Sequence, residues 1–115
     1  MNMEFVRKLT IPAEVKEMYP ITAAMADCFE QRDIQLKKIL SGRDNRLLLI
    51  IGPCSADRLD AVLDYMERLR RVQDKVADKI FIVPRVYTNK PRTTGKGYKG
   101  MLHQPNPEEK PDMFK

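Results

Sequence analysis

Leu47-Leu48-Leu49-Ile50-Ile51-Gly52-Pro53-Cys54-Ser55 is an unbroken apolar run that stops at a Gly-Pro turn. A run of strand length without polar alternation predicts a strand covered on both faces, as in a parallel sheet. Downstream, Leu59, Val62, Leu63, Met66, Leu69, Val72 and Val76 share one apolar stripe at helical spacing, which predicts a helix over residues 57–76. Ile80-Phe81-Ile82-Val83 predicts a second strand, continuing through Pro84 to Val86 or Tyr87. Strand, helix and strand in close succession make a βαβ unit, so the fold class is α/β with a parallel pair.

Upstream of the first strand, Thr22 is a good N-cap for a helix reaching Leu40, with Met25, Phe29, Leu36, Ile39 and Leu40 at helical spacing. Ser41-Gly42 supplies its stop. Residues 1–21, with Pro12 and Pro20 and no sustained periodicity, predict an extended arm carrying one short turn at Glu14 to Met18. At the other end, residues 101–115 place Pro105, Pro107 and Pro111 among charged residues and predict irregular chain. The chain thus divides at residue 45: arm and helix over 1–45, then strand, helix, strand and loop over 46–115.

Composition narrows the class of protein. At 115 residues, with 43% hydrophobic and 32% charged residues, the chain has the balance of a soluble globular protein. No apolar run approaches the ~20 residues of a membrane span, and the N-terminus lacks the apolar stretch of a secretory signal. A cytoplasmic protein without membrane contact is expected. Cys28 and Cys54 sit in dissimilar surroundings, which argues for reduced thiols rather than a disulfide framework.

Charge is distributed unevenly. Lys79, Arg85, Lys90, Arg92, Lys96 and Lys99 fall between Lys79 and Pro107 with no acidic residue among them, so this window carries +6 in a chain of net +5. The remainder nets −1, and a cluster so local predicts an anionic ligand. In a parallel α/β fold ligands gather at the C-terminal ends of the strands, so the turn at Gly52 to Ser55 and the loop after Tyr87 should face one site. Pro91 stiffens the loop, so that Lys90 and Arg92 are presented on restricted backbone; Arg92 offers a planar fork of donors, and Thr93 and Thr94 add hydroxyls. Gly95, Gly97 and Gly100 allow a ligand to approach the backbone. The pattern is neither a P-loop nor a dinucleotide fingerprint. Taken alone, a basic glycine-rich loop is as readily a solvated surface or an RNA contact as it is a binding loop for a phosphorylated ligand.

Cys54 is either a small buried residue at a strand end or, beside these cations, a thiol shifted towards the thiolate that binds metal. No second metal ligand lies at short spacing from it. Cys28 reads as an ordinary thiol of its helix, and His103, the only histidine, as an exposed loop residue.

Together these residues carry a resemblance. Gly52-Pro53-Cys54-Ser55, Arg85-Val86-Tyr87, Lys90-Pro91-Arg92-Thr93-Thr94 and Gly97-Tyr98-Lys99-Gly100 resemble the N-terminal part of 3-deoxy-D-arabino-heptulosonate 7-phosphate (DAHP) synthases, nearest the type I alpha class regulated by aromatic amino acids. Tyr19-Pro20-Ile21-Thr22 and Gly42-Arg43-Asp44-Asn45-Arg46-Leu47 extend the likeness over nearly the whole chain. The resemblance implies a (β/α)8 barrel, of which this chain holds the first βαβ unit. It implies condensation of phosphoenolpyruvate with erythrose 4-phosphate, the first step of the shikimate pathway. It further implies a divalent metal (Mn, Fe, Co or Zn), an aromatic amino acid effector and a homo-oligomeric parent enzyme. By the same resemblance Cys54 is a metal ligand, Arg85 and Lys90 hold phosphoenolpyruvate with Lys90 also catalytic, and Pro91, Arg92 and Thr93 contact erythrose 4-phosphate.

Two departures stand beside the likeness. Pro84 removes a backbone donor from an interior barrel strand and predicts a bulge or a strand end there. The family's remaining metal ligands belong to later strands, and His103 does not match the family's histidine, so the chain alone is expected to be an inactive fragment. Other readings are a non-catalytic assembly or regulatory piece and a small basic nucleic-acid-binding module. Few aromatics beyond Tyr87 and Tyr98 interleave the basic residues, which disfavours nucleic acid.

Overall fold

The computed structural model describes residues 8–92, 94 and 97–100. The order of elements is α1 (Pro12–Met18), α2 (Ala23–Leu40), β1 (Leu47–Ile51), α3 (Leu59–Val76) and β2 (Ile80–Pro84). β1 and β2 pair in parallel, from Leu47 opposite Ile80 to Ile51 opposite Pro84, with α3 as the crossover. The expected βαβ unit is therefore present, and both connecting loops leave the C-terminal ends of the strands.

α2 begins and ends where the sequence places it. The Thr22 hydroxyl accepts from Met25 N at 3.2 Å, which satisfies one of the donors left open at a helix start. Ser41 caps the C-terminus, and Gly42 follows with φ +73°.

Four expectations need correction. The turn expected at Glu14 to Met18 in an extended arm is instead a two-turn helix, α1. Pro12 at its start has φ pre-set and no donor to lose, and the Glu14 carboxylate accepts from Ile11 N at 3.0 Å. α3 starts at Leu59 rather than residue 57, because Arg58 holds extended backbone at φ −132°. β2 ends at Pro84 and does not run on to Val86 or Tyr87; a last ladder bond, Arg85 N to Ile51 O at 2.9 Å, closes the pair. Of the alternatives at Pro84, the strand end is the one found, and the register passes through it without a bulge. Finally, β1 is not covered on both faces: Leu47 and Ile50 are each 62% exposed.

The core is small. Among the described residues only Ala56, Phe81, Ile82 and Tyr98 are buried apolar groups. Phe81 lies under two guanidinium groups, with Arg32 at 4.4 Å and Arg46 at 5.4 Å from the ring centre. Arg46 ties three segments together through Asp44 at 2.7 Å, Gln35 at 3.0 Å and the Ala77 carbonyl at 3.1 Å. Its hydrogen bonds hold the Asp44 carboxyl below its ordinary range. Along the rest of α3, Arg68–Asp64 and Arg70–Asp74 are exposed pairs that add little to stability. No helix among the described residues is long and apolar enough to cross a membrane.

Candidate phosphate-handling site

The turn after β1 and the segment after β2 come together at glycine. A Cβ on Gly52 would lie 1.7 Å from the Arg85 carbonyl oxygen, so only glycine lets the two strand ends approach this closely. Across that contact Arg85 Nη2 donates to the carbonyls of Gly52 at 3.3 Å and Pro53 at 3.1 Å. Its guanidinium also sits 4.0 Å from the Tyr87 ring centre. Arg85 Nε is buried and has no hydrogen-bond partner. A buried orphan donor on a cation carries a desolvation cost that an anionic oxygen would offset.

Lys90 reaches back to the same turn. Its ammonium donates to the Cys54 carbonyl at 2.6 Å and lies 3.2 Å from Cys54 Sγ, while resting 4.8 Å from the Tyr87 ring centre. The thiol is held below its ordinary pKa, first by the hydrogen bond from Lys90 and then by the charge of that ammonium. The Ser55 hydrogen bond and the Arg92 charge act in the same direction. Cys54 is exposed, which overturns the plain reading of a buried strand-end residue. The Gly-Pro turn carries it out of the sheet before any side chain can cover it.

Arg92 completes the cluster, with Nε donating to the Tyr98 carbonyl at 3.0 Å and Nη2 lying 3.5 Å from the Ser55 hydroxyl. The loop is pinned by its own residues: Asn89 and Gly100 form an antiparallel bridge, Lys90 N donates to Lys99 O at 2.8 Å, and the Tyr98 hydroxyl donates to Tyr87 O at 3.0 Å. Tyr98 is 5% exposed, and burial pushes its phenol pKa up. Gly100, at φ +137°, accepts a conformation that a side chain rarely allows and passes beneath Thr88 O.

Of the expected site residues, Cys54, Arg85, Lys90 and Arg92 converge within one cluster, and Pro91 stands between its two cations. Thr93, Gly95, Lys96, the 101–115 tail and His103 lie outside the described residues. Cys28 is exposed on α2, away from the cluster. Two contributions escape a reading by residue type. Tyr87 supports both Arg85 and Lys90 with one ring, and Ser55 meets Arg92. The i, i+2 spacing of Arg85 and Tyr87 in extended chain, which puts both on one side, is the signal that could have found the first. For metal, the described residues hold one candidate donor in this cluster, Cys54, and no group of three or more His, Cys, Asp or Glu side chains able to hold an ion. That donor set does not fit a complete metal site.

The profile of the DAHP synthetase I family matches residues 12–110. The Trp-sensitive phospho-2-dehydro-3-deoxyheptonate aldolase of Escherichia coli (strain K12) is 39% identical over 101 residues, covering 88% of this chain and 29% of that protein. The Phe-sensitive enzyme of the same strain is 36% identical over 106 residues, covering 92% of this chain and 30% of that protein. Among solved structures, the phospho-2-dehydro-3-deoxyheptonate aldolase of Francisella tularensis SCHU S4 superposes with a TM-score of 0.78 at 29% identity, covering 97% of this chain and 33% of that chain. The chain therefore spans about three tenths of the length of the curated relatives it matches.

Proposed function

Given that the chain belongs to the DAHP synthetase I family, as an N-terminal portion of a type I DAHP synthase, we propose that it supplies one wall of the site where phosphoenolpyruvate condenses with erythrose 4-phosphate. The observation that carries this reading is the convergence of Arg85, Lys90 and Arg92 on the turn that bears Cys54. Arg85 and Lys90 would hold the phosphate and carboxylate of phosphoenolpyruvate, with Arg85 Nε as a donor already desolvated and unpartnered. Lys90, catalytic in this reading, offsets charge as the enol carbon attacks the aldehyde. Pro91, Arg92 and Thr93 would meet erythrose 4-phosphate, Arg92 through its planar fork.

The family is generally one of divalent-metal enzymes. Cys54, a thiolate-leaning donor, would be this chain's contribution to the ion; the described residues do not complete the coordination, so no step is routed through it. In architecture, β1, α3 and β2 would be the first βαβ unit of a (β/α)8 barrel over 46–115, with α1 and α2 as an appended N-terminal segment over 1–45. The exposed apolar side chains on both faces of β1 support this, since a closed barrel would cover them. The whole enzyme would be a cytoplasmic homo-oligomer answering to an aromatic amino acid.

A hybrid tests the reading. Replacing the matching segment of the Trp-sensitive Escherichia coli enzyme with this chain should give a protein that forms DAHP, and Lys90→Met in that hybrid should abolish turnover. A folded hybrid without activity would overturn the proposal. The 115-residue chain itself, with manganese and both substrates, should show no turnover.

A further inference from the structure

Two cations of the cluster share one aromatic ring and have no carboxylate between them. The guanidinium of Arg85 lies 4.0 Å, and the ammonium of Lys90 4.8 Å, from the ring centre of Tyr87. From Lys79 to Pro107 the sequence has no acidic residue, and among the described residues no carboxylate forms an ion pair with either cation. Their remaining partners are the carbonyls of Gly52 and Pro53 for Arg85, and the carbonyl and thiol of Cys54 for Lys90.

Like charges gathered in one place repel, and what holds them together decides what they can offer a ligand. A carboxylate would occupy their N–H groups and cancel their charge, and an incoming anion would have to displace it. The face of an aromatic ring attracts a cation through its quadrupole, without occupying an N–H group and without adding a negative charge. A guanidinium over a ring keeps its donors free along its edge, and Arg85 Nε is such a donor, buried and without a partner. The segment that carries the ring is itself fastened: Tyr87 O accepts from the hydroxyl of the buried Tyr98 at 3.0 Å.

Resting on the phosphoenolpyruvate site proposed above, we propose that Tyr87 is a positioning residue for that substrate. Its ring takes the place of a carboxylate counter-ion. It holds Arg85 and Lys90 side by side while leaving their charge and their donors to the phosphate and carboxylate of phosphoenolpyruvate.

The test is calorimetric titration of the hybrid enzyme with phosphoenolpyruvate, with Tyr87 replaced by Phe, by Phe bearing successive ring fluorines, and by Leu. Tyr87→Phe should keep the Kd within about twofold, because the ring face is retained. Each fluorine withdraws charge from that face at nearly constant shape, so the Kd should rise stepwise, reaching about tenfold in Tyr87→Leu. The KM for erythrose 4-phosphate should stay nearly unchanged throughout, since Arg92 is held by Tyr98 O and Ser55. A flat series in which phosphoenolpyruvate still binds, or a loss in Tyr87→Leu shared equally by both substrates, overturns the role of the ring and leaves the site standing. A folded hybrid that binds no phosphoenolpyruvate with Tyr87 in place overturns the site, and the role of the ring with it.

Discussion

Cys54 and Lys90 form the most chemically pointed contact in the molecule, and its consequence is a thiol whose titration depends on a lysine 36 positions away. Because the hydrogen bond from the ammonium favours the thiolate, the pH at which Cys54 becomes reactive lies below that of an ordinary cysteine. In Lys90→Met the midpoint of iodoacetamide alkylation at Cys54, measured in chelator, should move upward towards the ordinary thiol value; an unmoved midpoint would separate the two residues. Gly52 is the second sensitive position. Its Cβ has no room against the Arg85 carbonyl, so Gly52→Ala should lower the stability of the hybrid enzyme by at least the ~1–3 kcal/mol of an overpacked core, seen in its denaturation midpoint. Residue type made Cys54, Arg85, Lys90 and Arg92 legible in the sequence, because charge clusters and strand-end turns are local signals. The supports were not. Tyr87 beneath two cations and the orphaned Arg85 Nε depend on which side of an extended segment a side chain leaves, and β2 stopping at Pro84 sets that direction.

At the level of elements, helix ends were the most readable feature. Thr22 and Ser41-Gly42 bound α2 because capping is a matter of a few consecutive residues. Thr22→Ala should cost about 1 kcal/mol of helix stability, read as lost ellipticity at 222 nm and a lower urea midpoint for that signal. An unchanged far-ultraviolet spectrum would mean that packing on β1 and the Arg46 network hold the helix without its cap. α1 was harder to see, since Pro12 and Glu14 act in a helix too short to show apolar periodicity. The strand pair was legible as an unalternated apolar run. Its covering was not, because that depends on what lies beside the pair and not on the run itself.

At the scale of the molecule, burial is thin among the described residues. Large apolar side chains from Leu9 to Val86 stay exposed, and the few buried ones gather around β2 and the loop neck. Heating the isolated chain should give a broad, weakly cooperative loss of structure and association through apolar surface; a sharp two-state transition from a monodisperse monomer would contradict this. The loop after β2 is fastened otherwise. Asn89 and Gly100 pair at its neck, so the chain enters and leaves at one crossing, and Lys90 sits at that crossing with its reach to Cys54 already set. A segment tethered in this way can change between its two ends without shifting either strand, while the contact of Lys90 with Cys54 is held at the neck.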